Sequence, residues 1–381
     1  MLKTRGKKIV DEKGREVVLR SIGIGGWLMM EGYMLGGKNI AEHVFKNKIR
    51  SVYGESKLER FTSEFQKHFF NEADVARIKK LGFNCARLPI NHRVLDEKNG
   101  LKFLDKIIGW FRKYKVYVIL DLHAAPGSQN RDWHSDSNGT AGLWENDKYV
   151  RRTVNLWGKI SKRYSNESTI AGYDILNEPV TEKTGKLNEL YSRIINVIRK
   201  NGDKHILFIE PNNWAADFKD IKRPKDDNFA WSIHFYVPVN FTFNWDPLLC
   251  CPGKKELKGH LKPFREIQNR DNVPVLVGEF GVASRCPVCN SELKWVEHAL
   301  AIFREFGWSW SYWTYKSVAG ALVPDGVYRI FDHEMFRRDS DAPGMENVIK
   351  VLKTGEKRFY KTLDTSNFKL HRKLQKILSK A

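Results

Sequence analysis

The chain has 381 residues, 41% of them hydrophobic, and carries 65 lysines and arginines against 45 aspartates and glutamates, a net charge of +20. That length suits one large domain or two small ones with a sizeable core, and the absence of any apolar run near about 18 residues excludes a membrane-spanning helix. The basic residues are spread along the chain without an RNA-binding motif, so the charge reads as a solvated basic surface and nucleic acid is not an expected partner.

The N-terminus, Met1-Leu2-Lys3-Thr4-Arg5, has charge but no apolar signal-peptide core, which leads to the expectation of a cytoplasmic protein. Residues 7–20 read as a small hairpin turning at Asp11 to Gly14, and Ile22 to Gly26 as a first strand. Trp27 to Phe70 shows no clear period; it holds Glu31 and several aromatics and reads as an insertion that shapes a cleft. From Asn71 the pattern is regular. Asn71 caps a helix with Val75, Ile78 and Leu81 on one face, and Gly82 ends it. Strand Asn84 to Pro89, a helix through Leu104, Ile107, Ile108 and Phe111, and strand Val116 to Leu122, ending at His123, follow. Next come a helix through Val150, Val154, Trp157 and Ile160, a strand running to Asn177, a helix through Leu187, Leu190, Ile194 and Ile198, and strands Ile206 to Glu210 and Phe229 to His234. A basic segment leads to the strand ending at Glu279, and a helix through Leu293, Val296, Leu300 and Phe303 precedes strand Trp308 to Trp313.

Counted from Ile22, eight strands mostly alternate with helices. Such alternation calls for a parallel sheet, and eight units suit an α/β fold of the closed (β/α)8 TIM-barrel type with its site at the strands' C-terminal ends. A doubly wound sheet is the runner-up, but Gly23-Ile24-Gly25-Gly26 does not match the nucleotide-binding fingerprint it would need. The barrel is assigned to residues 1–355 and a basic tail to 356–381.

The centre of the chain is Tyr173 to Pro179, an apolar run stopped by Asn177, Glu178 and a proline. A second apolar run, Val275 to Val277, ends in Glu279 between glycines. In a barrel these two glutamates face one pocket, together with Arg87, His123, Asn177, His234, Tyr236 and Trp313 at other strand ends. Paired carboxylates on either side of a sugar are what glycoside hydrolysis requires, and a separation of about 5–5.5 Å allows retention of configuration. Arg87 near Glu279 would keep that carboxylate ionised, Tyr236 could donate to it, and Asn177 could bond a sugar 2-OH. Glu178 must hold a proton, for which a less polar setting is expected. Such catalysis needs no metal and no organic cofactor.

As a set, these eight residues make the chain resemble glycoside hydrolase family 5, in the clan of retaining (β/α)8 glycosidases, over roughly residues 7–352. The resemblance implies Glu178 as acid/base and Glu279 as nucleophile, with the other six around the sugar. Within the family, Gly25-Gly26-Trp27-Leu28-Met29-Met30-Glu31 and Asp121 to Asn130 look like the exo-acting β-1,3-glucanase and β-mannosidase branches, where an equivalent of Glu31 binds the terminal sugar. The expected substrate is therefore a β-glucoside or β-mannoside attacked from an end. An endo-acting cellulase or endoglycoceramidase on the same scaffold is the alternative, and a non-catalytic carbohydrate-binding barrel a remote one. Trp133 and His134, in Asp132-Trp133-His134-Ser135-Asp136 after the third strand, are candidates for a subsite.

Five cysteines are present. Cys85 reads as buried in a strand. Cys250, Cys251, Cys286 and Cys289 fall after the sixth and seventh strands, where a disulfide, a metal site or free thiols all remain open. Four glutamines beside abundant Lys, Arg and Glu fit a thermophilic composition. In the tail, Leu370, Leu374, Ile377 and Leu378 share one helical face among lysines, which suits a helix packed on the barrel, with membrane-surface or subunit contact as the other reading.

Overall fold

The computed structural model describes residues 1–283, 292–318, 323–330 and 345–381. An antiparallel pair, β1 (Lys3–Arg5) and β2 (Lys8–Val10), opens the chain. It lies earlier than the expected hairpin because Gly6, at φ 55, makes the reversal. The Asp11 to Gly14 turn is also present, and there the Asp11 carboxylate accepts from the amides of Lys13 and Arg15.

Eight strands then close into a barrel: β3 (Arg20–Gly23), β4 (Cys85–Asn91), β5 (Tyr117–Ala124), β6 (Ile170–Asp174), β7 (Ile206–Ile209), β8 (Phe229–Phe235), β9 (Val275–Phe280) and β10 (Ser309–Tyr312). Neighbours pair in parallel all the way round, and β10 returns to β3 in the register Tyr312 to Ile22. Strands β4, β8 and β9 are buried along their whole length, which is why they are near-continuous apolar runs. This is the (β/α)8 TIM barrel expected from the alternation of elements. The barrel interior packs Cys85, Ile119, Ala171, Phe208 and Leu276, and Leu2, Ile9 and Leu19 seal its floor. Burial lifts the Cys85 thiol to about 12, so it is an inert packing residue.

Two helices lie where no period was legible, Glu42–Tyr53 and Glu55–Phe69. The second buries Leu58, Phe61, Phe65 and Phe69 at helical spacing. Gly54, at φ 84, breaks the phase between the two, so a window across it shows no single periodicity. The basic segment before β9 is also a helix, Lys254–Asp271, burying Leu257 and Leu261. Its Pro263 is a residue that ordinarily argues against a helix interior.

After the barrel, β11 (Lys316–Val318), β12 (Tyr328–Ile330) and β13 (Lys369–Leu370) form a small sheet. The tail helix Arg372–Ser379 packs beside helix Glu292–Phe306 and buries Leu374 and Leu378. The buried ammonium of Lys316 donates to the carbonyls of Phe69 and Leu363 and to Thr365, tying the tail to the barrel. The apolar face that a membrane-surface helix would present is thus turned inward. No helix among the described residues is long and apolar enough to cross a membrane. Cys286 and Cys289 lie outside the described residues, and with them the pairing considered for Cys250 and Cys251.

Candidate active site

All eleven site candidates singled out in the sequence line or underlie one pocket of about 550 Å³ at the C-terminal ends of the barrel strands. Arg87, from β4, lies fully buried beneath it. Its Nη1 donates to Glu279 Oε1 at 2.6 Å, Nε to Asp174 Oδ2 at 2.8 Å, and Nη2 to Asn177 Oδ1 at 2.8 Å and Glu210 Oε1 at 3.2 Å. Asp121 Oδ2 lies 3.2 Å from the same Nη2. One planar guanidinium therefore fixes groups from several strands, which a lysine could not do.

Glu279, on β9, takes Arg87 on Oε1 and the Tyr236 hydroxyl on Oε2 at 2.8 Å, as anticipated. Burial and the Glu279 charge hold the Tyr236 phenol well above its ordinary pKa, so it remains a donor. Gly278 is required beside it, because a Cβ there would sit 2.6 Å from Ser232 Oγ and 3.1 Å from His234 Nε2. Asn177 accepts from Arg87 through Oδ1, and its buried Nδ2 has no partner among the described residues. A free donor fixed in this way suits a sugar hydroxyl.

Glu178 has φ 48, a left-handed backbone uncommon for a side chain of its size. Its amide donates to Glu210 Oε2 at 2.6 Å, and its carbonyl accepts from Asn130 Nδ2 at 2.9 Å. Gln129 in turn donates to the carbonyls of His123 and Asn177. The loop after β5 thereby clamps the turn after β6 and aims the carboxylate inward.

An oxygen of Glu178, an oxygen of Glu279 and a ring nitrogen of His234 lie within 4.8 Å of one another. That is the short separation used for double displacement rather than for direct attack by water. The surroundings of Glu178 differ from expectation. In place of a less polar setting, His234 Nδ1 lies 2.6 Å from Oε1 and His134 Nδ1 lies 3.2 Å from Oε2. Burial opposes its charge, but the two imidazoles outweigh burial and pull its pKa down. His234 is raised: burial disfavours its cation, and Glu210, Glu279 and Glu178 override that. His123 is the opposite case, lowered to about 3 by burial, hydrogen-bonded to Asp121 at 2.7 Å and stacked at 5.6 Å on Trp313.

Glu31, on the loop after β3, is 3% exposed, and burial followed by the charges of Glu279 and Glu178 outweighs the pull of His134 to raise its carboxyl well above the usual range. Its Oε1 has no hydrogen-bond partner among the described residues. Tyr33 accepts from Trp313 Nε1 at 2.6 Å and meets Trp133 edge-on at 5.9 Å. Gly25 leaves room for this, since a Cβ there would lie 2.7 Å from the Trp313 ring. Trp133→Ala is expected to raise KM roughly 3- to 10-fold while changing kcat less, the loss of one stacking face. Equal losses in both constants, measured by initial rates, would mean that Trp133 only supports the loop.

Sequence reading passed over the carboxylates beneath the site and the rim above it. Glu210 directly follows the apolar run of β7, as Glu178 and Glu279 follow theirs, and that signal is present in the sequence. Asp121 and Asp174 are lone acids inside apolar strands, where a buried counter-ion is implied. Trp214 and Trp245, 47% and 61% exposed at the mouth, lie on irregular loops without periodicity.

The family model for cellulases (glycosyl hydrolase family 5) matches residues 51–318. A β-xylosidase of Phanerodontia chrysosporium is 34% identical over 83% of this chain and 71% of its own length. Endoglucanase C of Acetivibrio thermocellus is 26% identical over 78% of this chain and 94% of its own. A probable glucan 1,3-β-glucosidase A of Aspergillus clavatus is 26% identical over 65% and 63%. The crystal structure of endoglucanase Cel5A from the hyperthermophilic Thermotoga maritima superposes with a TM-score of 0.65 at 20% identity, covering 94% of this chain and 96% of that one, a likeness of fold. With a family match over most of the barrel and a pocket built around paired glutamates, the chain belongs to glycosyl hydrolase family 5 and is an O-glycosyl hydrolase.

Proposed function

We propose that the protein is a retaining β-glycosidase that releases single glucosyl or mannosyl residues from the ends of β-linked substrates. Glu279 attacks the anomeric carbon while Glu178 gives a proton to the departing oxygen. Glu178 then takes a proton from the water that displaces Glu279. Arg87 and Tyr236 hold Glu279 ionised and aimed, and the unpartnered Asn177 Nδ2 is available to the 2-OH, a contact that strengthens at the transition state.

The observation that carries the exo reading is Glu31. A buried carboxyl with an unpartnered oxygen, walled by Tyr33 and Trp133, lines the same pocket as both glutamates. That arrangement suits the hydroxyls of a terminal sugar. The 34% identical β-xylosidase supports a second reading, a β-xyloside substrate. The test is a panel of p-nitrophenyl β-D-glucoside, mannoside and xyloside beside laminarin, β-mannan and carboxymethylcellulose. Release of single sugars is expected, and the preferred aryl glycoside names the sugar. Cleavage only at internal bonds would overturn the exo reading in favour of an endoglucanase. No cleavage of any of them would turn the search to glycolipids.

A further inference from the structure

Both oxygens of Glu178 face an imidazole, but the two histidines are not equivalent. His234, with a side chain 1% exposed, is enclosed by Glu210 at 3.2 Å and Glu279 at 3.7 Å besides Glu178 itself. His134 turns Nδ1 to Glu178 and Nε2 outward, 3.5 Å from Asp132 Oδ2. The Asp132 side chain is 42% exposed. A chain of titratable groups therefore runs from the Glu178 carboxyl through one imidazole to solvent. Trp214, at the pocket mouth, donates its indole N–H to Asp132 Oδ2 at 2.8 Å and so holds that carboxylate in place.

We propose that His134, held by Asp132, supplies the proton that Glu178 delivers to the leaving group and takes back the proton that Glu178 removes from water. The proposal rests on Glu178 being the acid/base, and it makes His134 a positioning residue that acts through Glu178. In the first half-reaction the Nδ1–H bond of His134 breaks, its electron pair stays on nitrogen, and the proton passes to Glu178. The Glu178 proton then goes to the glycosidic oxygen, which keeps the electron pair of the breaking bond to the anomeric carbon. In the second half, water bonds to the anomeric carbon as Glu279 departs, and its proton returns through Glu178 to Nδ1. The net change is hydrolysis, with the imidazolium restored.

The charges around His134 favour this role. The carboxylates of Asp132, Glu178 and Glu31 face it, and the ring of His123 meets it edge-on at 6.1 Å. Burial works against the cation, but the neighbouring Asp132 and Glu178 carboxylates outweigh it and lift His134 to about 9. His134 thus keeps a proton across the neutral range, where Glu178, pulled down by both imidazoles, does not. The displaced proton remains within reach of Glu178 instead of being lost to solvent.

The test is kcat/KM against pH for wild type, His134→Gln, Asp132→Asn and Glu178→Gln. Each is assayed on two β-glycosides of the sugar that the panel selects. One has a 2,4-dinitrophenol leaving group, which departs without protonation; the other has a simple alkyl alcohol, which does not. In His134→Gln the alkaline limb for the alkyl glycoside is expected to move down by about one pH unit or more, because the reservoir is gone. The alkyl rate should fall roughly 10²-fold, the scale of general acid catalysis, with less than about a threefold change on the dinitrophenyl glycoside. Asp132→Asn should shift the limb the same way by less, and it reports on the pair even if His134→Gln folds poorly. A limb that stays put or moves up in both variants, or equal losses on the two substrates, would overturn the relay. If Glu178→Gln also spares the alkyl glycoside, the fault lies in the acid/base assignment itself.

Discussion

Glu279→Ala is expected to lower kcat on a β-glycoside by about 10⁵-fold, the scale on which removing an activated nucleophile acts. The fold should survive the change. Arg87 loses one of its anionic partners but keeps Asp121, Asp174 and Glu210, so the guanidinium is not stranded. Tyr236 loses its acceptor, yet it lies at the pocket wall, where water can replace the carboxylate. The melting temperature should therefore stay within a few degrees of wild type. A sharper readout comes from adding azide. A small anion can enter the space left by the carboxylate and attack the anomeric carbon from the same face. The rate on an activated aryl glycoside should partly recover, and the product should be the α-glycosyl azide, of inverted configuration. In Glu178→Ala the carboxylate lost is the one on the leaving-group side, so azide should give the β-azide by displacing the Glu279 ester. Opposite configurations from the two variants would distinguish nucleophile from acid/base. If Glu279→Ala retained activity within tenfold of wild type, the role of Glu279 as nucleophile would be lost, however well it is placed.

The strand ends carried most of the site because the barrel maps sequence position onto space simply. A polar residue that stops a buried apolar run must lie at a strand's C-terminal rim, and in a closed parallel barrel all such rims share one face. His123, Asn177, Glu178, His234, Tyr236, Glu279 and Trp313 were legible for that reason, whereas Arg87 lies inside β4, with four strand residues beyond it, and reaches Glu279 from beneath the pocket. The residues that tune the pair were harder to read. Asp132 and His134 stand on a loop whose approach to Glu178 depends on Gln129 and Asn130 clamping the neighbouring turn, a long-range event without a local signature. The setting of Glu178 was misjudged on similar grounds. A strand ending in Glu-Pro reveals the carboxylate but not the histidines that arrive from two other strands' loops and ends. Of the missed helices, Glu55–Phe69 had its period in plain sight, hidden by the phase break at Gly54, whereas Lys254–Asp271 was masked by its proline and its charge.

Arg87→Met is expected to cost about 3–5 kcal/mol of stability, the penalty for removing one partner of a buried ionic cluster, and to lower the melting temperature by roughly 4–6 °C. Four carboxylates, those of Asp121, Asp174, Glu210 and Glu279, converge on this one cation. Methionine fills much of the volume but offers them no charge and no donor. Even with the arginine present, burial and mutual repulsion lift Asp121 to about 7 and Asp174 well above its ordinary range. Without it both should rise further. A carboxyl whose folded pKa exceeds its unfolded value binds a proton in the folded state that the unfolded chain releases, so stability falls as pH rises through the folded pKa. The gap between variant and wild type should therefore be larger at pH 8 than at pH 5, as measured by thermal or urea unfolding at both. Activity should be lost at both, because protonation of the cluster restores neutrality but not the hydrogen bonds that aim Glu279 and Asn177. A gap that narrowed at pH 8 would mean that the carboxylates find cations elsewhere, His234 being the nearest candidate. The guanidinium would then serve as a geometric clamp more than as a counter-ion.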